Sequence, residues 1–352
     1  MIPLGRFRPG SFRGAPLVLV ASVAGALTWL GGACRIAAED VVVYASGVDG
    51  SGRARATGRI VEFTGRELSI EQNGIGVRSI PASRVVSIEA EWLPDHRSAD
   101  EAFRKGDYAA SLELYRKAGR DDDRTWVRRR ILAQCVWCYR NLGQHEQAAS
   151  TFLLILKSDP DTQYFDSIPL CWWPQQPPAN LEQQARGWLD DADASAARLL
   201  GASWLMNLER SAAADVLSSL TTDGDPRVAL LAEAQLWRMR AAVATADDVA
   251  RWNRQLDRLE PALRAGPYLT LGQVQARLGQ YEEAALSLMR LPILYPRERY
   301  MTSEALLAAA TSLENIGQQR EAADAYREVV ARYADTRAAD EAQRRLAAAD
   351  GP

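Results

Sequence analysis

The sequence predicts a mostly α-helical chain, a solenoid of stacked helical hairpins preceded by a small all-β, barrel-like unit and a signal peptide. Three observations carry that reading. A Gly-x-Tyr-x-x-Ala core recurs along the chain after about residue 98. Residues 40–92 alternate apolar and polar with a period of two. Before them lies a stretch without charge from Gly14 to Cys34, behind Arg6, Arg8 and Arg13.

The first element, residues 1–38, has the three parts of a secretory leader: a basic start, an apolar core from Leu17 to Leu30, and small residues beyond it. Cleavage would fall after Ala33 or after Ala38. An uncleaved single-span anchor is the rival reading, since the uncharged stretch is about long enough to cross a bilayer. Both expectations place the remainder outside the cytoplasm, with the positive charges before the apolar stretch and Glu39 and Asp40 after it. A third option is lipidation of Cys34, where Gly31-Gly32-Ala33 supplies small residues but puts Gly31 in the aliphatic place of a lipobox.

Residues 40–92 are read as five short strands. They cover Asp40–Tyr44, Ala56–Phe63, Glu67–Gln72, Gly76–Ile80 and Val85–Trp92. Asn73-Gly74 predicts a two-residue type I′ hairpin turn, because both residues take positive φ at little cost. Pro81 to Arg84 predicts a short 3₁₀ turn. The strand count and turn placement resemble small SH3-like or Sm-like barrels. A unit of about fifty residues buries little core alone, so it is expected to pack on the first helices. No aromatic and basic stacking platform for RNA is evident.

Two helical blocks are expected, at 98–160 and 180–352. Gly106-Asp107-Tyr108 is followed by Ser111 and Tyr115, and Gly143-Gln144-His145 by Ala148, Phe152 and Pro160. Gly279-Gln280-Tyr281 is followed by Ala284, Leu288 and Pro296, and Gly317-Gln318-Gln319 by Ala322 and Tyr326. Weaker copies centre on Ala214 and Ala250. The glycine suits a left-handed residue where helix A ends. The small residue lets helix B approach helix A, the aromatic fills the gap to the next unit, and the proline stops helix B. Residues 338–348 would cap the stack. This pattern resembles the tetratricopeptide repeat (TPR) family over about Ser98 to Ala348.

Residues 161–179 interrupt the register. Pro160, Pro169, Pro174, Pro177 and Pro178 exclude a continuous helix A there. Cys171-Trp172-Trp173 within it is either a binding epitope or a plug for the hole left by the missing helix.

Chemistry is sparse. Hydrophobic residues make up 47% and charged residues 25% of the chain, as in soluble globular proteins. The formal net charge of −3 gives no nucleic-acid footprint. With only two histidines, His96 and His145, a histidine metal or acid–base site is not expected. No cofactor, metal or catalytic residue is assigned, and the chain reads as a non-enzyme. Cys135-Val136-Trp137-Cys138 is a C-x-x-C, but it falls inside a helix A, where a packing pair accounts for it better than the helix N-terminus a redox thiol needs. A thiol-disulfide oxidoreductase using Cys135 and Cys138 is one alternative function. A ligand-sensing module acting through the β unit is another. A disulfide from Cys171 to Cys135 or Cys138 is compatible with an oxidising compartment. Glu282-Glu283 and Asp247-Asp248 sit where helices begin and complement the macrodipole. Asp121-Asp122-Asp123 lacks the spacing of a calcium loop.

The TPR resemblance implies a protein-interaction scaffold that binds a protein or peptide on its concave face. Helix A positions carried over by register are Arg130, Ala133, Gln134, Trp137 and Arg140; then Leu269, Gln273 and Arg277; then Glu304, Leu307 and Thr311. Trp137 between Arg130 and Arg140 suits capture of a peptide or carboxylate. The lysine-asparagine clamp of TPR cochaperones is absent. Asn141, Asn207 and Asn315 recur near the ends of helix A, where capping accounts for them. The C-terminal repeats resemble envelope TPR proteins of outer-membrane assembly and Tol-Pal coordination, which implies a periplasmic or envelope setting.

Overall fold

The structure is a computed structural model and describes residues 39–47 and 51–349. The expected leader, anchor and Cys34 lipidation therefore lie outside the described residues. Five strands come first: β1 (Asp40–Ser46), β2 (Gly52–Phe63), β3 (Glu67–Gln72), β4 (Gly76–Pro81) and β5 (Val85–Glu89). They form one antiparallel sheet in the order β4-β3-β2-β1-β5. A register shift in β2 between Ile60 and Glu62 marks a bulge, which bends the long strand. The 3₁₀ turn at Ala82–Arg84 lies where the sequence predicts it. The Asn73-Gly74 turn differs from expectation. Gln72 pairs with Gly76, so the loop holds three residues rather than two. Gly74 and Gly76 both take positive φ, at 76° and 95°, and the second glycine allows the chain to turn one residue later than a type I′ hairpin would.

The alternation of β2 and β3 points Ile60, Phe63, Leu68 and Ile70 inward, where they share a core with Ala99, Leu112, Tyr115 and Trp126 of the first helices. Polar contacts fix the docking. The buried Arg129 guanidinium donates to the Phe63 carbonyl at 2.9 Å and pairs with Glu62. The Gly65 amide donates to Asp159 Oδ2 at 2.9 Å. A β-carbon at Gly65 would overlap the Asp161 carbonyl, so the turn depends on that glycine.

Fourteen α-helices follow among the described residues, six pairs of them forming hairpins. The first two hairpins are α1 (Pro94–Arg104) with α2 (Tyr108–Asp121) and α3 (Thr125–Asn141) with α4 (His145–Ser158). After a break come α5 (Ala179–Leu189), then α6 (Ser195–Leu205) with α7 (Arg210–Leu220) and α8 (Pro226–Arg240) with α9 (Ala246–Leu256). The last are α10 (Ala265–Arg277) with α11 (Tyr281–Leu294), α12 (Arg299–Asn315) with α13 (Gln319–Arg332), and the terminal α14 (Arg337–Ala349). The result is a TPR-like α-solenoid. Gly106, Gly143, Gly279 and Gly317 all hold positive φ between helix A and helix B, as the repeat pattern requires.

The fourth residue of each helix B is buried: Ser111, Ala148, Ala213, Val249, Ala284 and Ala322. The weak copies are thus one residue off the expected register, since Ala213 and Val249 pack inward, not Ala214 and Ala250. No glycine marks the turn before α7 or α9, so the sequence lacks the mark that fixes the phase elsewhere. At α9 a capping box does that work, with the Thr245 hydroxyl accepting from the Asp248 amide and the Asp248 carboxylate from the Thr245 amide. Close approach within a hairpin is clearest at Gly272, where a β-carbon would lie 2.5 Å from Leu288 Cγ.

The break at residues 159–178 is a plug. Its backbone is irregular apart from a 3₁₀ turn at Phe165–Ser167. Phe165, Ile168, Leu170, Cys171 and Trp172 are buried in the central core. The plug bonds to the A helices of the following hairpins. Trp204 Nε1 of α6 donates to the Pro169 carbonyl at 3.0 Å. Arg238 of α8 donates to the Cys171 carbonyl at 2.6 Å, joined by Gln235 at 3.2 Å. The Trp172 indole lies so close against α10 that only a glycine, Gly266, fits beneath it. Neither disulfide that the spacing left open is formed. Cys135, Cys138 and Cys171 are all free thiols, because the helix pair belongs to the core beneath the β sheet and Cys171 to the central one.

Candidate concave binding surface

The plug contacts part of the helix A surface that the TPR resemblance assigns to binding. Arg140 of α3 donates to the Ser167 carbonyl of the plug at 3.3 Å and forms a 2.6 Å ion pair with Glu298. Both partners are almost enclosed, with side-chain exposures of 11% and 12%. Asn141 donates to the Arg297 carbonyl at 3.2 Å, and back to its own helix at Trp137 at 2.8 Å. The second hairpin is thereby joined to residues 297 and 298, which lead into α12. A simple solenoid bonds only nearest neighbours, and this one turns back on itself.

Trp137, the centre of the sequence-expected pocket, is only 5% exposed, and the Arg140 guanidinium stacks on its ring at 4.4 Å. Arg130 points elsewhere, over the Trp92 ring at 4.6 Å. Gln134 is half-buried and Ala133 buried. The aromatic flanked by two guanidinium groups therefore exists only in part, and an internal carboxylate occupies its Arg140 side. Burial pushes the Glu298 carboxyl up, while Arg140 beside it pulls the other way. Burial likewise pushes His145 down to about 4, helped by the positive charge of Arg140. His145 packs against Trp204 at 4.8 Å and Trp173 at 6.4 Å.

The C-terminal hairpins are different. Gln273 of α10 and Glu304, Leu307 and Thr311 of α12 line one groove of about 310 Å³. Tyr281, Asn315, Glu341 and Arg345 line it as well. Helical spacing explains the convergence, because Glu304, Leu307 and Thr311 follow at three and four residues and share one face of α12. The Thr311 hydroxyl donates to the Leu307 carbonyl at 3.1 Å and lies 3.1 Å from the Tyr326 hydroxyl. Burial pushes the Glu304 carboxyl up against the pull of Arg337. Arg345 is held by Glu341 at 3.1 Å and approaches Glu314 at 3.6 Å. Glu341 and Arg345 come from the terminal helix, which the sequence suggests only as a cap. Leu269 is fully buried, and Arg277 is spent on the carbonyls of Ala241 (3.0 Å) and Ala244, so neither lines the groove. Asn315 caps its own helix through Thr311 at 2.7 Å, whereas Asn207 donates to Gln175 of the plug at 3.2 Å.

The thiols are poorly placed for exchange chemistry. Cys135 and Cys138 lie mid-helix and buried, and burial pushes them up to about 12 and about 11. Thiolate is the reactive form, and at neutral pH it is scarce at both. No cluster of three metal-ligating side chains occurs among the described residues. Among them, too, no helix is long and apolar enough to cross a membrane.

Residues 136–162 and 304–336 match the tetratricopeptide repeat family. The first stretch spans the end of α3, all of α4 and the start of the plug. The second holds most of α12, all of α13 and the groove residues Glu304, Leu307, Thr311 and Asn315. Among solved structures, a thermophilic TPR protein of Thermus thermophilus is similar at 17% identity, over 72% of this chain and 96% of its own, with a TM-score of 0.29. No curated protein matches this chain.

Proposed function

We propose that the chain is a non-enzymatic scaffold of the cell envelope that holds a partner protein by a peptide segment in the groove of α10, α12 and α14. The observation that carries this reading is the convergence of Gln273, Glu304, Leu307 and Thr311 on one open groove, while plug residues are buried in the central core. TPR hairpins generally serve protein partners, and two such stretches match here. Leu307 offers an apolar seat, and Gln273 and Glu304 offer polar contacts beside it. The envelope setting rests on the basic, apolar and small-residue order of residues 1–38. Fractionation of the producing cells tests it, and recovery of the protein with the cytosol would refute that part.

Site-specific photo-crosslinking tests the groove. A crosslinker at Gln273 should capture partner protein, and one at Leu286, exposed on the outer face of α11, should not. Capture from Leu286 alone, or undiminished capture by a Glu304→Arg variant carrying the Gln273 crosslinker, would overturn the assignment.

A further inference from the structure

Where the solenoid turns back on itself, the ends of several elements surround a cavity of about 820 Å³. One wall is the turn between α1 and α2. Another is the loop between α11 and α12, and a third the loop between α13 and α14. Five cations line it: Arg104, Lys105, Arg297, Arg299 and Arg332. Only two acids do, Asp107 and Asp335. The whole chain is acidic, at −3, so this concentration of positive charge is local.

The charges are not all spent internally. Arg299 pairs with Asp335 at 2.5 Å, Arg332 with Glu328 at 2.5 Å, and Lys105 with Glu101 at 2.7 Å. Asp107 is used as the cap of α2, accepting from the Ala110 amide at 3.0 Å. Arg104 and Arg297 make no ion pair within 4 Å among the described residues, though Arg297 is felt by the buried Asp166 of the plug and Arg104 by Glu101. They stand on different walls, at the end of α1 and in the α11–α12 loop, both exposed. Beside them is an aromatic surface, with Phe103 edge-on to Tyr108 at 5.3 Å, while Tyr333 backs the third wall from the core, 4% exposed, under the guanidinium groups of Arg299 and Arg332.

Unpaired guanidinium groups suit carboxylates, which they hold by parallel hydrogen bonds. The aromatic rings suit an apolar side chain. A lone phosphate would use the charge and leave the rings bare, whereas a peptide carrying acidic and apolar residues side by side uses both. The cavity is within the usual size range of a binding pocket, roughly 300–1,000 Å³. We propose that this seam cavity is a second binding site, for an acidic peptide segment, with Arg104 and Arg297 taking its carboxylates and Phe103 and Tyr108 an adjoining apolar side chain. The inference rests on the scaffold reading and adds a partner chemistry to it, at a place separate from the C-terminal groove.

The test is fluorescence anisotropy with a labelled eight-residue peptide of alternating Glu and Leu, beside its Gln-for-Glu counterpart. The full chain should bind the acidic peptide saturably and more weakly as salt rises. An Arg104→Ala/Arg297→Ala variant should bind about tenfold more weakly or worse, since it loses two charge-assisted contacts. Both residues are exposed, so the variant should fold, which its thermal melt will report. The Gln counterpart should not saturate. Equal binding of the Gln peptide, or equal affinity of the double variant, overturns the proposal. So does a short single-stranded oligonucleotide that binds through the same arginines while the peptide does not. A Gln273→Ala/Glu304→Ala variant separates the two sites. Unchanged peptide affinity supports the seam, and lost affinity would move the peptide to the groove, leaving the scaffold reading standing and this one refuted.

Discussion

Replacing Gly266 by alanine should destabilise the wild-type protein yet be harmless once Trp172 is gone. Trp172 is 5% exposed, and its ring occupies the space a β-carbon at Gly266 would need. A tryptophan buries roughly 150–250 Å², which at about 25 cal/mol per Å² is roughly 4–6 kcal/mol. Trp172→Ala alone should therefore cost about 3–5 kcal/mol, the usual range for a large aromatic truncated in a core. Gly266→Ala alone must push the ring aside and should cost about 1–3 kcal/mol. In the Trp172→Ala background the methyl enters vacated space, and the helix gains up to about 1 kcal/mol from losing a glycine. The coupling between the two sites is then about 1–4 kcal/mol. Urea unfolding of all four proteins, followed by circular dichroism, measures it. Additivity within about 0.5 kcal/mol would mean that the indole does not rest on Gly266, and the account of the plug would fail.

Four further outcomes follow from contacts described above. Glu298→Ala leaves the Arg140 guanidinium buried and unpaired, and should cost about 3–5 kcal/mol, read as a lowered denaturation midpoint; a shift within error would show that Arg140 is solvated. Arg129→Ala removes the donor to the Phe63 carbonyl and should cost about 1.5–3 kcal/mol, with limited proteolysis cutting first between the β sheet and α1 if the sheet is loosened. His145 is held at about 4 in the folded chain against an ordinary 6.5, so the unfolded chain binds the proton first and stability falls as pH drops from about 6.5 towards 4. The raised carboxyls of Glu298 and Asp166 act in the opposite sense, so the slope belongs to His145 only if a His145→Gln variant flattens it. Cys135 and Cys138 should label with a thiol reagent far more slowly in native protein than in urea, and equal rates would contradict their burial.

The sequence reads best where a local rule has a residue of its own. Gly106, Gly143, Gly279 and Gly317 are needed for their backbone conformation, and the four hairpins they mark agree in register with the structure. Where no glycine is available, at Ala213 and Val249, the expected phase is off by one residue. Glu304, Leu307 and Thr311 come from the TPR register, and the structure lines one groove with all three. The closure is not legible. Arg140 and Glu298 are 158 residues apart, and neither carries any periodic sign of the other. The plug is half legible, because its prolines exclude a helix while nothing local says that Trp172 will seek Gly266. Arg130, Trp137 and Arg140 do lie on the expected helix, but the chain's own acid and its own tryptophan layer already engage them.

A stack of hairpins joined only to their neighbours behaves as a spring, lengthening under tension as each junction gives a little. The contacts of Arg140 with Glu298 and of Asn141 with Arg297 alter that mechanics. A pull applied at the two ends of the helical array runs across this clasp first, and the hairpins between carry load only after it opens. The molecule should be stiff up to a threshold and compliant beyond it, in the manner of a buckled belt.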